Sequence, residues 1–76
     1  MPHVIVKLFP GRTEEQKRLC TEKITQAIVD AIGADESSIS VAFEEIPREL
    51  WKDTVYQPDI IAKENTLYKK PGYRMD

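Results

Sequence analysis

The sequence predicts an α/β fold made of a single βαβ unit, and three stretches of the chain predict it. The run His3-Val4-Ile5-Val6-Lys7-Leu8-Phe9 is rich in β-branched residues and is halted by Pro10-Gly11. Residues 14 to 32 carry apolar side chains at spacings of three and four, as a helix with one buried stripe requires. Ser38-Ile39-Ser40-Val41-Ala42-Phe43-Glu44 then alternates apolar and polar residues. A helical connection of that length allows a right-handed crossover between parallel strands.

In the first strand, residues 3 to 9, successive side chains alternate between faces. Pro2, Val4, Val6 and Leu8 share one face, and His3, Ile5, Lys7 and Phe9 share the other. Only Lys7 is strongly polar, so both faces are expected to be covered. Thr13-Glu14-Glu15-Gln16 has the form of a capping box, and the two glutamates suit the positive end of the helix dipole. The helix is expected from Glu14 to Ile32, with Leu19, Cys20, Ile24, Ala27, Ile28, Ala31 and Ile32 as its apolar stripe. Lys17, Arg18, Glu22, Lys23 and Gln26 fall on the wet side. Gly33 is placed to end the helix in the left-handed conformation. In the second strand, residues 38 to 44, Ile39, Val41 and Phe43 face one way and Ser40, Ala42 and Glu44 the other. Pro47 ends this region, Arg48 to Trp51 reads as one helical turn, and residues 58 to 64 read as a short helix with proline near its start. The tail Tyr68-Lys69-Lys70-Pro71-Gly72-Tyr73 reads as extended or turn-like.

The chain has 76 residues, which allows a single domain, 1-76, that buries only about 60% of its unfolded surface. Two parallel strands and one helix leave a sheet face and an edge uncovered, so the predicted fold is completed by oligomerisation. One cysteine, Cys20, excludes an internal disulfide and suits a reducing cytoplasm. Together with one histidine it cannot build a zinc site, so no metal is expected. A net charge of −2 without a basic block argues against nucleic-acid binding. No apolar run approaches the ~20 residues of a membrane span, and the start lacks the regions of a signal peptide.

Pro2 is the residue with the clearest chemical meaning. Methionine aminopeptidases remove Met1 when a small residue such as proline follows. The product is a secondary amine held at the head of a strand. An α-amino group titrates near ~8, so a modest downward shift makes it a general base at neutral pH. His3 points to the opposite face and reads as a packing residue, and Cys20 reads as a buried inert thiol. Glu44 and Glu45 are strand neighbours facing opposite ways, so they are not an acid–base pair.

The ordered combination of Pro2, Gly11-Arg12-Thr13-x-x-Gln16-Lys17, Ser37-Ser38 before a second strand and Trp51 beyond it resembles the 4-oxalocrotonate tautomerase family. With the tail Lys69-Lys70-Pro71-Gly72-Tyr73, the pattern is most similar to its bacterial PptA subgroup. The resemblance covers a core of residues 2-51 followed by an extension, 52-76. It implies a tautomerase/MIF-like fold of βαβ protomers, paired as dimers and in many relatives joined as hexamers. It implies keto–enol tautomerisation without a cofactor. Pro2 then serves as the base, Arg12 contacts the substrate carboxylate, and Trp51 forms a wall of the pocket. Where typical members carry an arginine on the second strand, this chain has Ser40, which offers a hydrogen bond but no charge. That exchange favours a monocarboxylate 2-keto acid such as phenylpyruvate over a dicarboxylate. Two other functions fit the same residues: proline-dependent hydration of halogenated acrylates, and a non-catalytic oligomeric interaction module.

Overall fold

The computed structural model describes every residue from Met1 to Asp76, in two compact units, Met1–Glu45 and Ile46–Asp76. The first is the expected βαβ unit. Strand β1 spans His3–Leu8, helix α1 spans Glu14–Ile32 and strand β2 spans Ser40–Glu45. The strands run parallel in a two-stranded sheet, with His3 opposite Ser40, Ile5 opposite Ala42 and Leu8 opposite Glu45.

Helix α1 has the bounds its local signals predict. The Thr13 hydroxyl accepts from the Gln16 N–H at 3.0 Å, and the Gln16 side chain accepts from the Thr13 N–H at 2.8 Å. Gly33 closes the helix at φ 82°, ψ 22°, with its N–H on the Val29 carbonyl. Gly11, at φ 129°, makes the sharp exit from β1 toward the helix.

The strand bounds differ from the sequence reading. Phe9 lies outside β1, and β2 starts two residues later than its alternation suggests. Glu36–Ser38 is a 3₁₀ turn in which the Ser38 hydroxyl and N–H both donate to the Asp35 carbonyl, at 2.7 and 3.0 Å. This local satisfaction competes with the ladder and delays the strand.

The buried face of α1 is also rotated from the expected stripe. Lys17, Cys20, Thr21, Ile24, Thr25, Ile28 and Val29 are half-buried, whereas Leu19, Ala27, Ala31 and Ile32 are exposed. Two strands are too narrow to cover the whole apolar arc of the helix. Lys17, expected on the wet side, instead reaches Glu45 at the end of β2 at 3.0 Å and Glu14 at 3.5 Å. On the sheet, Val4 and Val6 are half-buried but Ile5 is 47% exposed, so the second sheet face is not covered. Val55 and Tyr56 are the only buried residues of the chain, and both belong to the second unit. No helix is long and apolar enough to cross a membrane.

The second unit opens with the turn Arg48–Leu50 and continues as a helix of π pitch, Lys52–Ile61, then a turn Glu64–Thr66. The sequence places Pro58 near the start of a helix; here it lies inside one. Proline removes a donor and crowds the preceding turn, and an extra residue per turn is a known accommodation within helices.

The Lys17 bridge gives the fold a pH dependence. The hydrogen bond to Glu45, with the charges of Glu45 and Glu14, holds the ammonium above its ordinary 10.5, against the opposing pull of partial burial. A raised folded-state value means the stabilisation is complete below the unfolded value and is lost as pH rises through the folded one. The difference in melting temperature between wild type and Lys17→Met should therefore be constant at neutral pH and shrink above pH 10.5. A difference that persists unchanged in alkali would show that Lys17 acts through packing alone.

Candidate active site

Pro2 is half-buried at the head of β1, and its carbonyl accepts from the Ser40 N–H at 3.1 Å. The ladder thus fixes the residue on a rigid element. Met1, by contrast, is fully exposed. While Met1 is in place the Pro2 nitrogen is a tertiary amide with no proton affinity at neutral pH, so any base chemistry depends on its removal.

Ser40 lies beside Pro2 along the ladder, but its side chain points elsewhere. Its hydroxyl is 2.6 Å from His3 Nδ1. Strand alternation puts both on the face opposite that of the Pro2 ring. Both residues are exposed on this open face. The histidine, read from sequence as a packing residue, is thus the partner of the hydroxyl.

Arg12 is exposed in the short segment between Gly11 and the Thr13 cap, and none of the protomer's ion pairs engages it. Its guanidinium is available for a carboxylate. It does not meet Pro2 within one protomer. The six residues of β1 lie between them, and at about 3.3 Å per residue they separate the two positions by roughly 20 Å.

Trp51 belongs to the second unit, half-buried between the Arg48–Leu50 turn and the following helix. Its indole N–H donates to the Tyr73 hydroxyl at 3.0 Å. Tyr73 in turn packs its ring against buried Tyr56, with centroids 5.7 Å apart and planes tilted by 35°. The sequence reading places Tyr73 in the extended tail and gives Tyr56 no role, because no local periodicity signals their contact.

Two of the chain's clefts are lined by several charged side chains. An open groove of about 520 Å³ runs between the first turns of α1 and Phe43 of β2, beside Lys17, Arg18 and Thr21. A second cleft, of about 400 Å³, lies in the C-terminal unit. Neither is lined by Pro2 or Arg12. No cluster of three or more His, Cys, Asp or Glu side chains is arranged to hold a metal ion.

Residues 2–52 match the family model described as tautomerase enzyme. Tautomerase PptA of Pectobacterium atrosepticum is 46% identical over 74 residues, covering 96% of this chain and 97% of its own. A probable tautomerase of Xylella fastidiosa is 40% identical over 73 residues, covering 96% of this chain and 89% of its own. Among solved structures, a 4-oxalocrotonate tautomerase isozyme from Methylibium petroleiphilum is 44% identical with a TM-score of 0.62, covering 66% of this chain and 81% of its own. YwhB, a homologue of 4-oxalocrotonate tautomerase, is 47% identical with a TM-score of 0.60, covering 62% and 77%. The βαβ unit that carries Pro2 and Arg12 falls within the matched residues, and the chain belongs to the tautomerase family.

Proposed function

We propose that this chain is a cofactor-independent keto–enol tautomerase of 2-keto acids, favouring phenylpyruvate-like monocarboxylates, with Pro2 as general base once Met1 is removed. Membership of the tautomerase family supports a tautomerase-type activity. The observation that carries the finer reading is Pro2 itself. It is half-buried and pinned to β2 through its carbonyl, behind a methionine that is fully exposed. The neutral amine takes a proton from the carbon next to the substrate carbonyl, and the same nitrogen returns it at another atom. Partial burial and a nearby guanidinium both favour the neutral, basic form. Hydrogen-bond donors around the carbonyl stabilise the enolate as it forms.

Arg12 is the proposed carboxylate ligand. A small keto acid cannot bridge the roughly 20 Å that β1 puts between Pro2 and Arg12 of one protomer. The Arg12 that serves a given Pro2 therefore comes from a second copy. Ser40 and Trp51 are proposed as further binding groups, Ser40 through a hydroxyl it shares with His3 and Trp51 as an aromatic wall. With Ser40 neutral, Arg12 is the one charged ligand in this reading, which suits a single carboxylate. We take residues 1-76 as one functional domain, core 2-51 with extension 52-76, working as a homodimer in the cytoplasm, with a hexamer as the alternative assembly.

The base assignment is checked by comparing protein of verified mass lacking Met1 with protein that keeps extra N-terminal residues. The processed form should tautomerise phenylpyruvate and the extended form should not; equal rates would remove Pro2 from the chemistry.

Arg12→Ala should lower kcat/KM about 10- to 150-fold, the equivalent of losing a charged hydrogen bond of roughly 1.5–3 kcal/mol. Mixing Arg12→Ala with Pro2→Ala protein and allowing subunits to exchange should restore part of the activity, because mixed oligomers contain intact composite sites. Failure to recover activity after proven exchange would place both residues in one protomer's site.

Assembly is read by dilution. Exposed Ile5, Leu19 and Ile32 need a partner to cover them, so dissociation and unfolding should be linked and the melting temperature should fall with concentration. A folded monomer at micromolar concentration in the ultracentrifuge, with a concentration-independent melt, would overturn the dimer.

A further inference from the structure

The C-terminal unit holds a cleft that the proposed chemistry does not use. Its volume of about 400 Å³ lies within the range of roughly 300–1,000 Å³ typical of small-molecule sites. Tyr56, Ile60, Leu67 and Pro71 supply an apolar lining, and all four are buried or half-buried. Glu64, Lys70 and Arg74 also line it, and all three are exposed. Lys70 Nζ lies 3.3 Å from Glu64 Oε1, so that cation is already matched. Arg74 enters none of the protomer's ion pairs. The cleft therefore combines an apolar lining with one unmatched guanidinium and a net positive charge.

We propose that this cleft binds a small organic monocarboxylate with an aromatic or branched apolar body, its carboxylate on Arg74 and its body against Tyr56, Ile60 and Leu67. The guanidinium fork suits two carboxylate oxygens at once. A neutral molecule leaves Arg74 unmatched, and a second carboxylate meets Glu64. The proposal is independent of the tautomerase reading, because none of its residues is Pro2, Arg12, Ser40 or Trp51. The site carries its own reporter. Tyr56 packs on Tyr73, which accepts from the N–H of Trp51, the only tryptophan in the chain.

The test is calorimetric titration of the full chain with phenylacetate, which has no ketone to tautomerise. It is run on wild type and on Arg12→Ala, so that the proposed active site is silent in the second arm. Saturable binding should persist in Arg12→Ala, weaken at least tenfold on adding Arg74→Ala, and tighten several-fold in Glu64→Gln, which frees Lys70. Trp51 fluorescence should change with the same midpoint. Benzyl alcohol, with a similar body and no charge, should not compete. Binding that survives Arg74→Ala undiminished, or is lost in Arg12→Ala, overturns the assignment, as does the absence of saturable binding at millimolar phenylacetate. Where Arg74→Ala fails to fold, Glu64→Gln decides: no tightening rejects the site. Tautomerase rates, measured separately, bear on Pro2 alone.

Discussion

The structure depends on one constraint: a parallel pair of strands and a single helix cannot bury themselves. No residue of the βαβ unit is fully buried, although its strands and helix are rich in apolar side chains. Parallel strands are ordinarily covered on both faces, yet here Ile5 faces outward on one side of the sheet and Leu19 and Ile32 on the outer arc of the helix. The surplus cannot be cured by local rearrangement, because capping and strand register already fix each element. It calls for another copy. The same geometry has a consequence for chemistry. A strand long enough to form the ladder is also long enough to hold Pro2 and Arg12 apart, so the surface that completes the fold is well placed to complete a site as well.

Parallel pairing also ties down the chain's first residues. A terminal segment with no ladder would fray. Here the Pro2 carbonyl and the His3–Ser40 side-chain pair tie the start of β1 to the start of β2. Proline suits this position because the first residue of a strand is one of the few places where a missing N–H costs the ladder nothing. At the other end of the sheet, Lys17 ties α1 to β2 through Glu45. One polar link at each end holds a layer whose apolar contacts are incomplete.

The sequence was most legible where structure is decided locally. Thr13, Gln16 and Gly33 settle the ends of α1 through contacts within four residues, so they can be read without knowing the fold. The βαβ order and the parallel crossover follow from three such elements. Legibility fell where two local preferences compete, as at Ser38, whose bonds to Asp35 outrun strand alternation. It fell again where the outcome depends on how wide the partner layer is. The apolar stripe of α1 was read as wholly buried, but two strands cover only part of it, and Lys17 takes a place the pattern assigned to solvent. Pairs distant in sequence were invisible. Trp51 and Tyr73 are 22 residues apart, and no periodicity joins them. Among the candidate site residues, Pro2 and Arg12 stand where their neighbours suggested, and Ser40 turned out to be engaged by His3.

That engagement bears on the charge a substrate of this chain can carry. In the proposed reading, the position where the family resemblance places a second-strand arginine is filled by a short hydroxyl already satisfied at 2.6 Å by an imidazole. An arginine there would present a fork of donors beyond the sheet, whereas the serine keeps its polar atom close to its own strand pair. Supplying a second cation from elsewhere would need a free basic group at that end of the ladder. Lys17 cannot serve, since Glu45 and Glu14 hold it at the opposite end of β2. A second substrate carboxylate would then lose hydration with no charged partner in return, a cost that a phenyl ring in the same place avoids. In the proposed reading, selectivity for a monocarboxylate would rest as much on what the His3–Ser40 pair withholds as on what Arg12 provides.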